Sequence, residues 1–185
     1  MAVTDYSSLR INVAQLLKGP TGGARRLELC DDVSAIDEEL RVQSPLTGPV
    51  SLIRTADGIL VAAPLETTVQ LECCRCLEAF TIPIQLEIEE EFHPTVDIHT
   101  GAVLPVSDTE EDATTIDEHH VLDLTEVVRQ ALFLALPMNP LCREDCAGLC
   151  PLCGNNLNQE QCQCEPDTVD PRLEVLKQLL PTQRA

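Results

Sequence analysis

Ten cysteines carry most of the chemistry this sequence offers. They are Cys30, then Cys73, Cys74 and Cys76, then Cys142, Cys146, Cys150, Cys153, Cys162 and Cys164. Where no secretory leader is expected, clustered thiols read as metal ligands before they read as disulfides. The sharpest element is Cys150-Pro-Leu-Cys153-Gly154. Two thiolates so close can share an ion only if the intervening chain turns tightly. Pro151 presets φ for such a turn, and Gly154 accepts a positive φ. Backbone N–H groups of the turn then face the sulfurs and help to carry their charge. A structural zinc ion takes four thiolates in a closed tetrahedron. The expected set is therefore Cys150 and Cys153 plus two of Cys142, Cys146, Cys162 and Cys164, with Cys146 and Cys164 ranked first. Cys162-Gln-Cys164 supplies both of its sulfurs only at the expense of strained geometry. About one ion per chain is expected, as a staple for a segment too small to fold on its own core.

The second cluster, Cys73-Cys74-Arg75-Cys76-Leu77, holds a C-x-x-C between Cys73 and Cys76. It could complete a ribbon with Cys150 and Cys153, act as a redox pair, or form an inert packed turn. A redox pair sits at the start of a helix that follows a strand. Here Thr68–Glu72 reads as strand on one side and Phe80–Ile88 as strand on the other, which leaves no room for a helix. Cys30 has no partner in sequence. His93, His99, His119 and His120 lack the i, i+4 spacing of a helical metal site and read as solvated side chains.

The elements that position these groups follow from periodicity. Phe80, Ile82, Ile84, Leu86 and Ile88 alternate with Thr81, Pro83, Gln85, Glu87 and Glu89, which marks a half-buried strand with its acids outward. Pro83 puts that strand at an edge or bulge. Asp57-Gly58 between Val50–Arg54 and Ile59–Ala63 predicts a hairpin. The centre is thus an antiparallel sheet of five or six strands. Leu9 to Lys18 predicts an N-terminal helix that Gly19-Pro20 stops. Residues 93–120 read as an acidic loop or linker. Asp123 and Glu126 predict the cap of a helix over 123–136, ended by Pro137. Asp170-Pro171 opens a short closing helix. The expected class is α+β: an antiparallel β-sheet core with a few packed helices and a small C-terminal zinc-knuckle module. The expected division is an acidic β-rich domain over 1–137 and a Cys-rich module with its closing helix over 138–185.

Charge narrows the partners. The chain has 185 residues and a formal net charge of −19. Residues 1–27 carry net +3, residues 28–126 net −20 and residues 127–185 net −2. The middle repels phosphate backbones and attracts basic proteins. Four aromatic rings, Tyr6, Phe80, Phe92 and Phe133, cannot build a base-stacking platform. No apolar run reaches the length of a membrane span, and the first ten residues do not read as a secretory signal. The expectation is a soluble, cytoplasmic protein. P-loop, dinucleotide and nucleophile-elbow motifs are missing, and no nucleophile stands beside a base. No enzyme activity is expected.

These segments together resemble the bacterial and plastid YceD family, named for accumulation of large-subunit ribosomal RNA. The resemblance rests on INVAQLLKGPTGGARR, CCRCLEAF, LDLTEVVRQALFLALP, LCREDCAGLCPLCGNNLN and DPRLEVLKQL, in the family's order. Cys73, Arg75, Cys76 and Leu77 carry its C-x-R-C-L signature, as structural or partner-binding residues. Gln130 stands where the family carries Glu, and Leu173 where an aromatic is usual. The resemblance implies a role in making or stabilising large-subunit ribosomal RNA and implies no catalysis. The charge split adds an expected partner, a basic ribosomal protein or the pre-large-subunit particle. Direct RNA contact would fall to the basic first 27 residues or to the metal module with Arg143. The rival readings are a zinc-ribbon regulator that binds nucleic acid and a thiol-redox protein using Cys73 and Cys76.

Overall fold

The computed structural model describes residues 6–104 and 114–164. Strands dominate, in the order β1 (Tyr6–Ser7), β2 (Arg10–Asn12), β3 (Ala24–Asp31), β4 (Arg41–Val42), β5 (Leu46–Arg54), β6 (Ile59–Glu72), β7 (Ala79–Pro94), β8 (Thr115–Ile116) and β9 (Val121–Asp123). The described residues hold two short helices, α1 (Ala14–Leu17) and α2 (Thr125–Ala135). The described residues are thus mostly β with two short helices, which bears out the α+β expectation in part.

The strands form one sheet in the order β1-β3-β5-β6-β7-β8-β9-β2, with β4 also paired to β6. Its centre is the antiparallel meander β3-β5-β6-β7; β1 joins β3, and β8 joins β7, in parallel. The Asp57-Gly58 hairpin forms as expected, since β5 ends at Arg54 and β6 begins at Ile59. Gly58 is required there by close approach: a Cβ at this position would lie 2.1 Å from the Phe92 carbonyl oxygen. Along β7, Ile84, Leu86 and Ile88 are buried while Gln85, Glu87 and Glu89 are exposed. Pro83 sits on a strand that pairs with β6 along most of its length and meets β8 only at His93 and Pro94. That is the edge placement a residue without an N–H demands.

The core gathers one face of the sheet. Leu52, Val61, Leu65 and Phe92 are buried against Ile116, Leu122, Leu124, Val128 and Leu132. Burial of this apolar surface is the main favourable contribution to folding.

Three expectations are corrected. Leu9–Lys18 is not one helix: β2 pairs with β9, and only Ala14–Leu17 is helical. Leu9, Ile11 and Val13 are all buried. Their spacing of two is the strand period, and in this segment it outweighs a weak helical one. Residues 93–120 are not all loop, because His93–Pro94 and Thr115–Ile116 pair as strands. The acids Asp108, Glu110, Glu111 and Asp112 lie outside the described residues. Helix α2 begins two residues after Asp123, whose Oδ1 accepts a hydrogen bond from the Thr125 N–H at 2.9 Å. The N-cap position itself belongs to Leu124, which makes no side-chain cap. The closing helix expected from Asp170 lies outside the described residues. Among those described, no helix is long and apolar enough to cross a membrane.

Candidate metal centres

The turn between β6 and β7 carries Cys73 and Cys76. Its geometry repeats that of the Cys150–Gly154 turn. The Leu77 N–H donates to the Cys73 carbonyl at 2.9 Å, and the Gly154 N–H donates to the Cys150 carbonyl at 2.9 Å. The Cys73 N–H donates to the Glu78 carbonyl at 2.9 Å, and the Cys150 N–H to the Asn155 carbonyl at 2.8 Å. Leu77 and Gly154 occupy the same left-handed position, with φ of 60° and 75°. The chain therefore holds two knuckles of one design. A glycine fills the left-handed position in one and a leucine in the other.

Each knuckle gathers its own set of four sulfurs. Cys73, Cys76, Cys142 and Cys146 lie within 4.8 Å of one another, and so do Cys150, Cys153, Cys162 and Cys164. The six C-terminal cysteines thus divide, with Cys142 and Cys146 joining the β6–β7 turn. The expected set of Cys150, Cys153, Cys146 and Cys164 is not brought together: Cys146 lies in the other set, and Cys162 takes its place. Both Cys162 and Cys164 contribute to one set. Residues 161–164 adopt neither helix nor strand, so the backbone is free to bend between them. The single-ion expectation becomes two candidate sites. Cys30 and Cys74 are exposed and belong to neither set, and among the described residues no histidine joins one.

The first set is the more enclosed. Cys73, Cys76 and Cys146 are buried and Cys142 half-buried. The Sγ atoms of Cys73 and Cys146 are 3.7 Å apart, as are those of Cys76 and Cys142. Such gaps are far too long for a disulfide. They match the edge of a tetrahedron with a metal–sulfur bond of about 2.3 Å, which is about 3.8 Å. In the second set Cys150 is buried, Cys162 half-buried, and Cys153 and Cys164 exposed.

Electrostatics also favours a cation. In the first set, burial opposes ionisation of Cys73, yet N–H groups of Cys142, Cys76 and Arg75 bring it down to about 6. Burial and the neighbouring sulfurs push Cys142 up to about 12. In the second set, N–H groups of Cys153 and Leu152 bring Cys150 down to about 6, while Cys153 and burial push Cys164 up to about 12. Four crowded thiols cannot all ionise alone, so some take the charge and the rest keep their protons. A divalent cation would remove the conflict.

A surrounding shell holds the first set in place. Arg75 donates to the Cys146 carbonyl at 2.9 Å, and its own carbonyl accepts from the Leu149 N–H at 3.2 Å. Gly148, with φ of 75°, lets the chain pass this carbonyl; a Cβ there would sit 3.2 Å from it. The Cys74 N–H donates to the Pro140 carbonyl at 2.9 Å. Asn158 was not foreseen from sequence. Its Nδ2 donates to Cys146 Sγ at 3.3 Å, while its Oδ1 accepts from Arg143 at 2.6 Å and from the Ala147 N–H at 2.8 Å. The available signal was the Asn155-Asn156-Leu157-Asn158 run beside a knuckle. Gln159 adds a hydrogen bond to Glu78. Arg75 thus clips the hairpin to the Cys-rich segment. A redox pair needs an accessible thiol, and Cys73 is 0% exposed.

This arrangement defines a class: a β-sheet protein in which a Cys-rich C-terminal segment is fastened to a hairpin turn by a four-thiol cluster and carries a second such cluster of its own. Residues 61–180 match the model of the family described as Large ribosomal RNA subunit accumulation protein YceD. The chain belongs to the YceD family. An uncharacterized protein of Mycobacterium tuberculosis is 30% identical over 151 residues, covering 81% of this chain and 64% of that protein. An uncharacterized protein of Mycobacterium leprae is 31% identical over 122 residues, covering 66% of this chain and 49% of that protein. The Large ribosomal RNA subunit accumulation protein YCED homolog 1, chloroplastic, of Zea mays is 24% identical over 176 residues, covering 83% of this chain and 60% of the maize protein. The chain therefore spans about half to two thirds of the length of these relatives. No solved structure matches it.

Proposed function

We propose that this protein is a non-catalytic binding factor that supports accumulation of large-subunit ribosomal RNA during ribosome assembly in the cytoplasm, and that it does so by holding a basic ribosomal protein. Family membership and the maize homolog's name support the ribosomal assignment. The basic partner rests on charge. Glu87, Glu89 and Glu90 stand exposed on β7, and among the described residues none of them has an ion-pair partner. Such a surface attracts a basic protein and repels bare RNA.

The proposed cofactor is structural zinc, one ion in each cluster. All-thiolate, closed sets suit zinc and leave no open position for chemistry. The observation that carries the reading is the first cluster, because it ties the Cys-rich segment to the end of the acidic sheet and makes one binding body of the two. Crosslinking in cells followed by nuclease treatment and mass spectrometry tests the function. The expected product is a basic large-subunit protein joined to this chain, and depletion is expected to lower large-subunit RNA relative to small-subunit RNA. Recovery of RNA with no ribosomal protein would defeat the proposal.

A further inference from the structure

The outer edge of β7 is open. From Ala79 to Phe92 it pairs with β6 on one side, and among the described residues no strand lies on the other. In an antiparallel pair every second residue turns its N–H and C=O away from its partner. No hydrogen bond outside the β6 ladder reaches the backbone of residues 85–90 among the described residues. Such an edge is a template for another chain.

A groove of about 430 Å³ follows this edge, with the strand on one wall and α2 on the other. Consecutive residues from Gln85 to Glu90 line it, so it runs along the backbone edge and not across one face. The helix wall presents Val127, Ala131 and Leu134, spaced at i, i+4 and i+7. Leu134 is 87% exposed, so none of the described residues covers it. Glu87, Glu89 and Glu90 line the groove, and among the described residues no Lys or Arg does. Glu90 shares the strand parity of buried Ile88 and Phe92 yet is itself exposed.

We infer that the groove between β7 and α2 receives an extended, Lys- or Arg-rich segment of a partner protein, which adds to the sheet as a strand along residues 85–90. Main-chain hydrogen bonds to the edge supply affinity, and alternate side chains supply choice. Basic side chains of the segment meet Glu87 and Glu89 on one face, while on the other face apolar ones cover Val127, Ala131 and Leu134 and a further basic one meets Glu90. The same three acids repel a second copy of this edge, so self-pairing is disfavoured and a chain of opposite charge is admitted. This inference rests on the basic-partner reading above and adds to it the place and the mode of binding.

The test uses the full zinc-loaded chain and a fluorescent decapeptide alternating lysine with valine. Anisotropy is read near physiological ionic strength, where diffuse surface attraction is screened. The expected result is saturable binding that weakens about tenfold or more when alternate peptide nitrogens are methylated, because strand addition needs those N–H groups. The triple substitution E87K/E89K/E90K and the single L134R should each weaken it similarly. The triple E28K/E38K/E39K, which changes net charge equally on exposed positions elsewhere, should not. Amide hydrogen exchange of residues 85–90 should slow when the peptide binds, and this readout is independent of any variant's folding.

Equal binding of the methylated peptide, equal loss in the control triple, or protection elsewhere in the chain would overturn the inference. So would amides of 85–90 already protected in the free chain, whether by residues 165–185 or by a second copy. The two readings fail separately. If the intact chain crosslinks a basic large-subunit protein and the groove variants crosslink it equally, the groove is wrong and the function stands. If the peptide binds as expected while cells yield no ribosomal protein, the groove stands and the function is wrong.

Discussion

Single residues decide how the two knuckles differ. Leu77 holds φ of 60° and is 63% exposed, in the position that Gly154 fills in the other knuckle. A left-handed conformation costs a non-glycine residue about 1–2 kcal/mol, and glycine there costs about 0.5–1 kcal/mol in entropy. The two nearly cancel with a small balance toward glycine. Leu77→Gly is therefore expected to leave the thermal midpoint of the zinc-loaded protein unchanged or slightly raised. Leu77→Val should lower it, since a β-branched side chain is worse still at positive φ. Thermal melts of the three proteins check this, and a clear loss in Leu77→Gly would show that the side chain packs in a way the turn geometry does not account for. Much at this scale was legible beforehand. The C-x-x-C spacing with Pro151 and Gly154 marks the Cys150–Gly154 knuckle as a turn, whereas for Cys73 and Cys76 a turn is one of three readings. Asn158 was not legible, because its amide reaches Cys146 Sγ only after the chain between them has folded back.

Helix α2 is held by its apolar stripe and by one anchored arginine. Val127, Val128 and Leu132 face the core. Arg129 lies over the Phe133 ring and pairs with Asp37 at 2.8 Å and Glu126 at 3.1 Å. The Glu39 N–H and then Arg129 hold the Asp37 carboxyl below its ordinary value of 3.8. A carboxyl depressed in the folded state adds stability above the unfolded value, and that stability fades as pH falls through the folded one. Asp37→Asn is thus expected to reduce stability at neutral pH and to flatten the acid limb below about pH 4. Urea midpoints across pH 7 to 2.5 measure it. An unchanged acid slope would mean that Asp37 does not bind fewer protons in the folded state than in the unfolded. Strand and helix periods located most elements, including the 57–58 hairpin and β7. The N-terminal segment was misread because ten residues carried both periods, and only pairing with β9 chose between them.

At the scale of the whole molecule, the described residues carry two four-thiol clusters of unequal shelter, each a candidate metal site. The cluster on the β6–β7 turn has three buried sulfurs, and the C-terminal one has a single buried sulfur. A chelator reaches exposed ligands first. Native mass spectrometry is expected to find two zinc ions per chain. Release to a colorimetric chelator should occur in two phases, with the fast phase absent in Cys153→Ser and the slow phase absent in Cys76→Ser. A single phase, or loss of both ions from either variant, would mean that the clusters act as one. Binding should also release protons, since the raised thiols Cys142 and Cys164 must ionise to bind, so affinity rises with pH.

What the sequence by itself determined was local: which turns can hold two sulfurs, which strands put acids outward, and where net charge concentrates. Each depends on neighbours a few residues apart, and spacing encodes that directly. Which sulfurs share a cluster was decided only by tertiary structure. Cys73 meets Cys146 across 73 positions, and Cys76 meets Cys142 across 66. A metal selects ligands by distance in space. Here that distance is set by the Arg75 and Gly148 contacts that bring the hairpin turn against the C-terminal segment, and no local period records them.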